Sequence, residues 1–186
     1  MKSNNNALLI VDMVYDFTNP NGLVFYPENQ IVLPVIRKVE DFCRNRGDLI
    51  IFAQHCYRAN KFDQNLLSMR PNCMEGSGGE AIDPMLYVDE KKDYVIKKRR
   101  YSAFFGTDLD LILREHHIDN LVIVGTKTNC CIRASVTDAY YLNYKVTVLS
   151  DCVATNSDLV NKVHLDDIHR YLGRVCTSQE FMSEQE

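Results

Sequence analysis

Five short apolar stretches along the chain have the character of buried β-strands. They are rich in branched residues and bounded by turn or polar residues, and their apolarity is continuous rather than alternating, which is typical of strands covered on both faces. The five stretches are residues 7–11, 49–53, 94–96, 121–124 and 146–149. The pattern therefore predicts a sheet with no solvent-facing side.

Amphipathic helical patterns alternate with these strands. Apolar residues recur at helical spacing over residues 32–46, 109–116, 132–142 and 159–172. Such alternation predicts right-handed crossovers and an α/β, Rossmann-like fold, with a parallel sheet and helices on both faces. Ligands bind such folds beyond the carboxyl ends of the strands, so residues just after each strand are the functional candidates.

The composition is that of one globular domain. Of the 186 residues, 46% are hydrophobic and 25% charged, and no repeat or linker divides the chain, so we expect a single domain over residues 1–186. The net charge is -4 and the basic block at residues 97–100 stands alone, which argues against a nucleic-acid partner. No apolar run approaches the roughly 20 residues of a membrane helix, so we expect no membrane partner.

The cysteine pattern indicates a reducing compartment. There are seven cysteines, an odd number without C-x-x-C pairs. The N-terminal residues MKSNNNALLIVD lack the layout of a signal peptide. We therefore expect a cytoplasmic protein.

The stretch from residue 56 to residue 93 is long, irregular and punctuated by prolines and glycines. Loops of this length in compact domains are usually lids or binding loops, so we expect either a wall of the site or an oligomer contact. The GSGG sequence at residues 76–79 lies inside this loop rather than at a helix start, which weakens a nucleotide-binding interpretation.

Charged groups stand where two predicted strands end. Asp12 closes the first strand, and a carboxylate at the mouth of a buried strand requires a cation or proton donor nearby, unless it only caps a turn. Lys97 and Lys98 close the third strand and must face opposite sides of it. At most one of the two lysines therefore points into a site, and the alternative is that both are surface lysines.

A cysteine pair follows the fourth strand. Asn129 in GTKTNCC is a candidate N-cap, which would place Cys130 and Cys131 in the first turn of the next helix. The helix terminus stabilises a thiolate there, which favours a nucleophile over a buried structural cysteine. If Asp12, Lys98 and one cysteine converge, they supply a base, an electrostatic partner and a nucleophile without a histidine.

Three ordered motifs cover nearly the whole chain. They read LLIVDMVYDF, KKRRYSAFFGTDLD and GTKTNCCIRASVTDAYYLNYKVTVLSDCV. In this order the chain resembles the isochorismatase-like cysteine hydrolases, the superfamily of nicotinamidase, N-carbamoylsarcosine amidohydrolase and ureidoacrylate amidohydrolase. The resemblance implies a parallel six-stranded sheet flanked by helices, in agreement with the alternation of strands and helices.

The resemblance also implies a catalytic triad of Asp12, Lys98 and Cys131. The lysine of the family motif stands three residues before Y-S-x-F, which selects Lys98 over Lys97. The nucleophile stands six residues after the glycine of G-x-x-T-x-x-C, which selects Cys131 and leaves Cys130 to packing.

Further site features follow from the same resemblance. It implies a cis peptide bond between Thr126 and Lys127. It implies an oxyanion hole formed by the backbone amides of Lys127 and Cys131. It also implies that Phe17 and Tyr101 line the substrate pocket.

One segment departs from the family's metal-dependent members. Metal-dependent nicotinamidases carry Asp-x-His and further histidines after the second strand, whereas this chain has Ala53 in place of the aspartate and His55 alone. One histidine does not hold zinc, so we expect no metal and no other cofactor. The departure favours the ureido or N-carbamoyl branch, in which His55 either contacts the substrate or makes structural hydrogen bonds.

The sequence thus predicts a cysteine-dependent amidohydrolase that cleaves an amide or ureido C–N bond of a small molecule through a covalent thioacyl intermediate. The resemblance implies a homo-oligomer, a dimer or tetramer. The alternatives are an isochorismatase-type vinyl ether hydrolase that does not require the thiol, a metal-dependent nicotinamidase, and a non-catalytic binding relative.

Overall fold

Six β-strands form the centre of the described part of the chain, residues 5–184, in the computed structural model. The strands are β1 (Asn6–Val11), β2 (Leu49–His55), β3 (Tyr94–Lys98), β4 (Asn120–Thr126), β5 (Lys145–Ala154) and β6 (Arg174–Cys176). Residues 1–4 and 185–186 lie outside the described residues. They belong to the predicted domain, and residues 1–4 begin the segment that was compared with a signal peptide. Each of the five apolar stretches lies within a strand.

All six strands are parallel and lie in the order β3-β2-β1-β4-β5-β6. β1 and β4 lie side by side in the middle of the sheet. β2 and β3 extend the sheet on the side of β1, and β5 and β6 extend it on the side of β4. The strand order reverses between β1 and β4, which is the point where open α/β sheets form their ligand crevice. The predicted α/β class with a six-stranded parallel sheet is confirmed.

Helices connect the strands. They are α1 (Tyr15–Thr18), α2 (Glu28–Arg46), α3 (Leu109–Glu115), α4 (Arg133–Tyr141), α5 (Asp158–Tyr171) and α6 (Ser178–Ser183). The four predicted helices are found within about one residue, except that α2 begins at Glu28 rather than at residue 32, because its first turn lacks an apolar repeat. Between residues 5 and 184, no helix combines the length and apolarity needed to cross a bilayer.

Each face of the sheet has its own apolar cluster. Leu8 and Ile10 of β1 pack on the face covered by α2 and α6, whereas Leu9 and Val11 pack on the face covered by α3, α4 and α5. Burial of one such side chain contributes roughly 2 kcal/mol. Packing on both faces therefore holds the carboxyl end of β1 in place.

The contact between β1 and β4 at the crevice requires a glycine. Gly125 pairs with Val11 and has a φ of 114°, and a Cβ built on it would lie 2.1 Å from the carbonyl oxygen of Val11. We expect Gly125→Ala to lower the free energy of unfolding by about 4 kcal/mol or more, because backbone strain and a clash with backbone add together. Urea denaturation measures this loss.

The matched control is Gly76→Ala in the long loop. Gly76 also has a positive φ, 79°, but a Cβ there would meet nothing within 4 Å. We expect Gly76→Ala to lower the free energy of unfolding by about 1 kcal/mol, which is the cost of the left-handed backbone conformation alone. Equal losses for the two variants would show that the strands do not approach each other as described.

Candidate active site

The carboxyl edge of the sheet brings together the three residues singled out from the sequence. Asp12 follows β1, Lys98 ends β3, and Cys131 lies in the turn after β4. Nζ of Lys98 lies 2.8 Å from Oδ2 of Asp12 and 3.4 Å from Sγ of Cys131. All three residues are buried, with 1%, 0% and 8% of their surfaces exposed, respectively. The structure therefore places a carboxylate, an ammonium group and a sulfur within contact distance.

Asp12 ends β1 in a left-handed backbone conformation. Its φ is 55°, which aspartate and asparagine tolerate better than most residues, and its N–H donates to the carbonyl oxygen of Ala53 at 2.8 Å. Neither carboxylate oxygen accepts a well-directed hydrogen bond from the described residues, although Lys98 forms the close ion pair. The carboxylate therefore keeps lone pairs with which to accept a proton.

Neighbouring lysines of β3 have separate environments. Besides the contacts above, Nζ of Lys98 donates to the carbonyl oxygen of Arg100 at 3.0 Å. Lys97 is exposed and pairs with Glu75 at 2.8 Å. Side chains alternate along a strand, so Lys98 lies inside the protein and Lys97 on its surface.

Cys131 lies in a wide helical turn, Thr128–Ile132, that leads into α4. Turns of this π type occur frequently at functional sites. The predicted N-cap at Asn129 is wrong, because Asn129 lies inside the turn and its Oδ1 accepts a hydrogen bond from the Thr155 hydroxyl at 2.8 Å. The asparagine side chain thus ties the turn to the end of β5 instead of capping it.

Burial and mutual charge determine the protonation of the site. Burial opposes the charge on Lys98, but the neighbouring Asp12 and Cys131 outweigh it and raise the pKa of the lysine to about 12. Burial, followed by the charge of Asp12, raises the pKa of the Cys131 thiol. The raised pKa favours the protonated thiol in the resting protein, so a base is needed to form the thiolate, and a stabilising effect of the helix terminus stays a prediction.

A cavity of about 210 Å³ adjoins the sulfur, and its walls are mostly apolar. The lining residues are Asp12, Phe17, Val24, His55, Tyr57, Met69, Asn72, Tyr101, Thr126, Lys127, Cys130 and Cys131. The three residues expected to contact substrate, Phe17, His55 and Tyr101, are all among them. Lys127, whose backbone amide was expected in the oxyanion hole, also borders the cavity, and the peptide bond between Thr126 and Lys127 is cis.

Several lining residues were not found from the sequence. Tyr57, Met69 and Asn72 come from the long loop, whose length had already favoured a wall of the site, but no motif distinguished these positions. Cys130, assigned to packing, does pack against the apolar cluster but also borders the cavity. The contribution of each of these residues depends on how the loop folds.

Asp16 anchors that loop to the sheet edge. It is 3% exposed, and its carboxylate accepts hydrogen bonds from the backbone N–H groups of Leu23 at 3.1 Å and Cys73 at 2.6 Å. Two loops that carry cavity residues are thus held by one side chain. The second aspartate of LLIVDMVYDF therefore shapes the cavity without lining it.

His55 is an uncharged group in the cavity wall. It is 6% exposed, its ring packs edge-on against Tyr57 at 4.6 Å, and its Nδ1 has no hydrogen-bond partner among the described residues. Burial is the main cause that lowers the pKa of His55, to about 4. The imidazole is therefore neutral at pH 7.

This pKa makes stability depend on pH. Between pH 6.5 and about 4 the unfolded chain binds a proton that folded His55 rejects, so we expect the free energy of unfolding to fall by about 3 kcal/mol as the pH drops through this window. His55→Gln should lose this part of the pH dependence. The control is His117→Asn at an exposed position with a positive φ, where asparagine is tolerated. Urea denaturation at pH 7 and pH 4.5 measures the change in the free energy of unfolding for each protein. The same change in His55→Gln as in the unmodified chain would contradict the assignment.

The donor set around His55 does not fit a zinc ion. Ala53, in the place of the aspartate of metal-dependent relatives, is buried in the apolar core, and the rings nearest His55 are those of Tyr57 and Phe17. Between residues 5 and 184, histidine, cysteine, aspartate and glutamate side chains form no group of three that is arranged to hold a metal. Zinc sites require three or four such ligands.

Relatives in sequence span nearly the same length. The ureidoacrylate amidohydrolase RutB of Caulobacter segnis is 38% identical over 203 residues, covering 94% of this chain and 83% of that protein. A protein of Arabidopsis thaliana named probable inactive nicotinamidase is 30% identical over 196 residues, covering 97% of this chain and 96% of that one.

Solved structures have the same architecture. An isochorismatase-like hydrolase from Alkaliphilus metalliredigens superposes with a TM-score of 0.91 at 32% identity, covering 97% of this chain and 99% of that one. The N-carbamoylsarcosine amidase of Thermoplasma acidophilum superposes with a TM-score of 0.80 at 31% identity, covering 92% of this chain and 95% of that one. The isochorismatase domain family matches residues 6–180. The chain therefore belongs to the isochorismatase family of hydrolases, whose members include amidohydrolases and nicotinamidases.

Proposed function

We propose that this chain hydrolyses an amide or ureido C–N bond of a small molecule through a covalent thioacyl intermediate on Cys131. The observation that carries the proposal is the buried Lys98–Asp12 ion pair in contact with the Cys131 sulfur, at the wall of a cavity. A buried ion pair is weak evidence of stabilisation, whereas a nucleophile beside a base and a fixed cation is the arrangement that covalent catalysis requires.

In the first half of the reaction, Asp12 accepts the proton of the Cys131 thiol as the sulfur attacks the carbonyl carbon. The thiol needs this base because its pKa is raised by burial. Lys98 stays protonated and offsets the negative charge that moves between carboxylate and sulfur. The backbone amides of Lys127 and Cys131 receive the oxyanion, a contribution worth about a hundredfold or more per donor in such sites.

In the second half, Asp12 returns the proton to the departing nitrogen, and ammonia or an amine leaves. Water then attacks the thioester while Asp12 takes a proton from it. The acid departs and the proton returns to the sulfur. The cycle consumes one water and restores the thiol, the carboxylate and the ammonium group.

The ureido and N-carbamoyl substrate class is supported by relatives. The Caulobacter relative is named for ureidoacrylate and the Thermoplasma structure for N-carbamoylsarcosine. The Arabidopsis relative is named as probably inactive, so family membership alone does not imply turnover. The proposal for this chain rests on its own Asp12, Lys98 and Cys131.

The experiment is ammonia release from a panel of ureido compounds, carboxamides and nicotinamide, with acid-quenched samples analysed by mass spectrometry. We expect turnover of at least one compound, an acyl or carbamoyl adduct on Cys131, and no effect of a chelator. Loss of activity with chelator would overturn the metal-free mechanism. Ammonia release that persists after Cys131 is alkylated would contradict the thioacyl mechanism, whereas hydrolysis of an added vinyl ether by the alkylated protein would favour the isochorismatase-type reaction.

A further inference from the structure

The charges that border the cavity are one carboxylate and one ammonium group. Asp12 and Lys127 are the ionised side chains among its lining residues in the described chain. Lys98, the counter-ion of Asp12, has 0% exposed surface and does not border the cavity. Both oxygens of the Asp12 carboxylate are buried and one lies 2.8 Å from the Lys98 ammonium group, so a molecule in the cavity meets a paired charge and not a free cation.

The ammonium group of Lys127 is held by other partners. Its Nζ donates to Oδ1 of Asn156 at 3.0 Å and lies 5.0 Å from the centre of the Tyr26 ring. Neither partner borders the cavity. A substrate carboxylate would have to draw this side chain away from both contacts.

Two of the arginines adjacent in sequence to lining residues are engaged by other partners. Arg70, next to Met69 in sequence, is exposed and donates to the carbonyl oxygen of Leu23 at 2.9 Å. Arg100, which precedes Tyr101, pairs with Asp63 at 3.1 Å. Neither guanidinium group borders the cavity, so salt screens its attraction for an anion beside the sulfur.

The remaining polar groups of the wall are neutral. His55 is uncharged at pH 7, since its pKa is lowered to about 4 by burial, and its Nδ1 lacks a partner among the described residues. Asn72 offers an amide. These groups can hydrogen-bond a ligand but cannot neutralise one.

We propose that the cavity selects small uncharged amides or ureas and rejects substrates that carry a carboxylate near the scissile bond. An anion there would lose water in a mostly apolar cavity, where the bordering ammonium group of Lys127 is already engaged by Asn156, which is unfavourable. As a statement about substrates, this inference rests on the proposed function. It differs from the chemistry of ureidoacrylate, the acid for which the Caulobacter relative is named.

The test compares two alkylating reagents of nearly equal size. Iodoacetamide is uncharged and iodoacetate carries a carboxylate, and in both cases the sulfur displaces iodide while the thiol proton is lost to a base. Rates at Cys131 are followed by peptide mapping with tandem mass spectrometry, which separates it from Cys130, and are normalised to glutathione. We expect the normalised preference for iodoacetamide at Cys131 to be at least about tenfold, equivalent to about 1.4 kcal/mol.

A charge-introducing variant makes the test specific. Met69 lines the cavity and is 38% exposed, so a longer side chain can be accommodated. Met69→Arg should raise the relative rate of iodoacetate, whereas the uncharged control Met69→Gln should not. A similar gain in both variants would contradict the electrostatic cause.

Equal normalised rates for the two reagents in the unmodified chain would overturn the inference, as would a Cys131 that reacts with neither. Alkylation requires no turnover, so the two proposals can fail separately. Selective alkylation without any ammonia release would count against the amidohydrolase alone. Ammonia release together with equal alkylation rates would count against the selectivity alone.

Discussion

Replacing Cys131 with alanine should abolish turnover, with kcat/KM reduced by at least about 10⁴-fold. The sulfur contacts the Lys98 ammonium group at the cavity wall, and the proposed thioacyl intermediate cannot form without it. The variant should fold, because alanine removes one thiol from a well-packed site. Steady-state ammonia release and circular dichroism together measure the effect.

Cys130→Ala is the matched control at the adjacent position. Cys130 also borders the cavity, but the sulfur that Lys98 contacts is that of Cys131. We expect kcat to remain within about tenfold of the unmodified chain while KM can shift, as for a residue that only shapes the cavity. The reverse result, an active Cys131→Ala and an inactive Cys130→Ala, would end the assignment of the nucleophile.

Asp12→Asn should reduce turnover by about 10³-fold or more, because the amide cannot accept the thiol proton. Asparagine is chosen since it tolerates the left-handed backbone of this position, where φ is 55°. The same change leaves the fully buried ammonium group of Lys98 without its counter-ion. We therefore also expect a loss of about 3 to 5 kcal/mol in the free energy of unfolding.

The double variant Asp12→Asn with Lys98→Met separates catalysis from stability. Methionine is close to lysine in length and fills the buried space without a charge, so much of the lost stability should return. Turnover should not return. Losses of stability that simply add in the double variant would show that the two side chains do not form the buried pair, and recovered activity would exclude Asp12 as the base.

The outline of the fold was predictable because a strand buried on both faces has to be apolar throughout. The apolar residues 7–11 and 121–124 predict β1 and β4 for this reason, and these two strands lie at the point where the strand order reverses. β6 was missed because it has only three residues, Arg174–Cys176, and no apolar run. Short edge strands depend on their neighbour for pairing rather than on their own pattern.

The candidate site was predictable in part. A carboxylate, a lysine pair and a cysteine pair at strand ends are visible in the sequence, because parallel strands bring their carboxyl ends to one edge. The strand pattern by itself did not distinguish Lys97 from Lys98, and the choice of Lys98 came from its position in the family motif. The structure separates them by the side of β3 on which each side chain lies.

The sheet, its helices and the residues that can reach its carboxyl edge can be read from the amino-acid sequence, because they follow from local apolar patterns and chain order. The packed structure was needed to show that burial raises the pKa of the Cys131 thiol, that Asp16 holds the long loop, and that Lys127 is directed to Asn156. Protonation and side-chain direction depend on burial and on charges brought close from distant parts of the chain. Local sequence patterns do not predict burial or the distances between charges, since both arise only when the strands and loops have packed together.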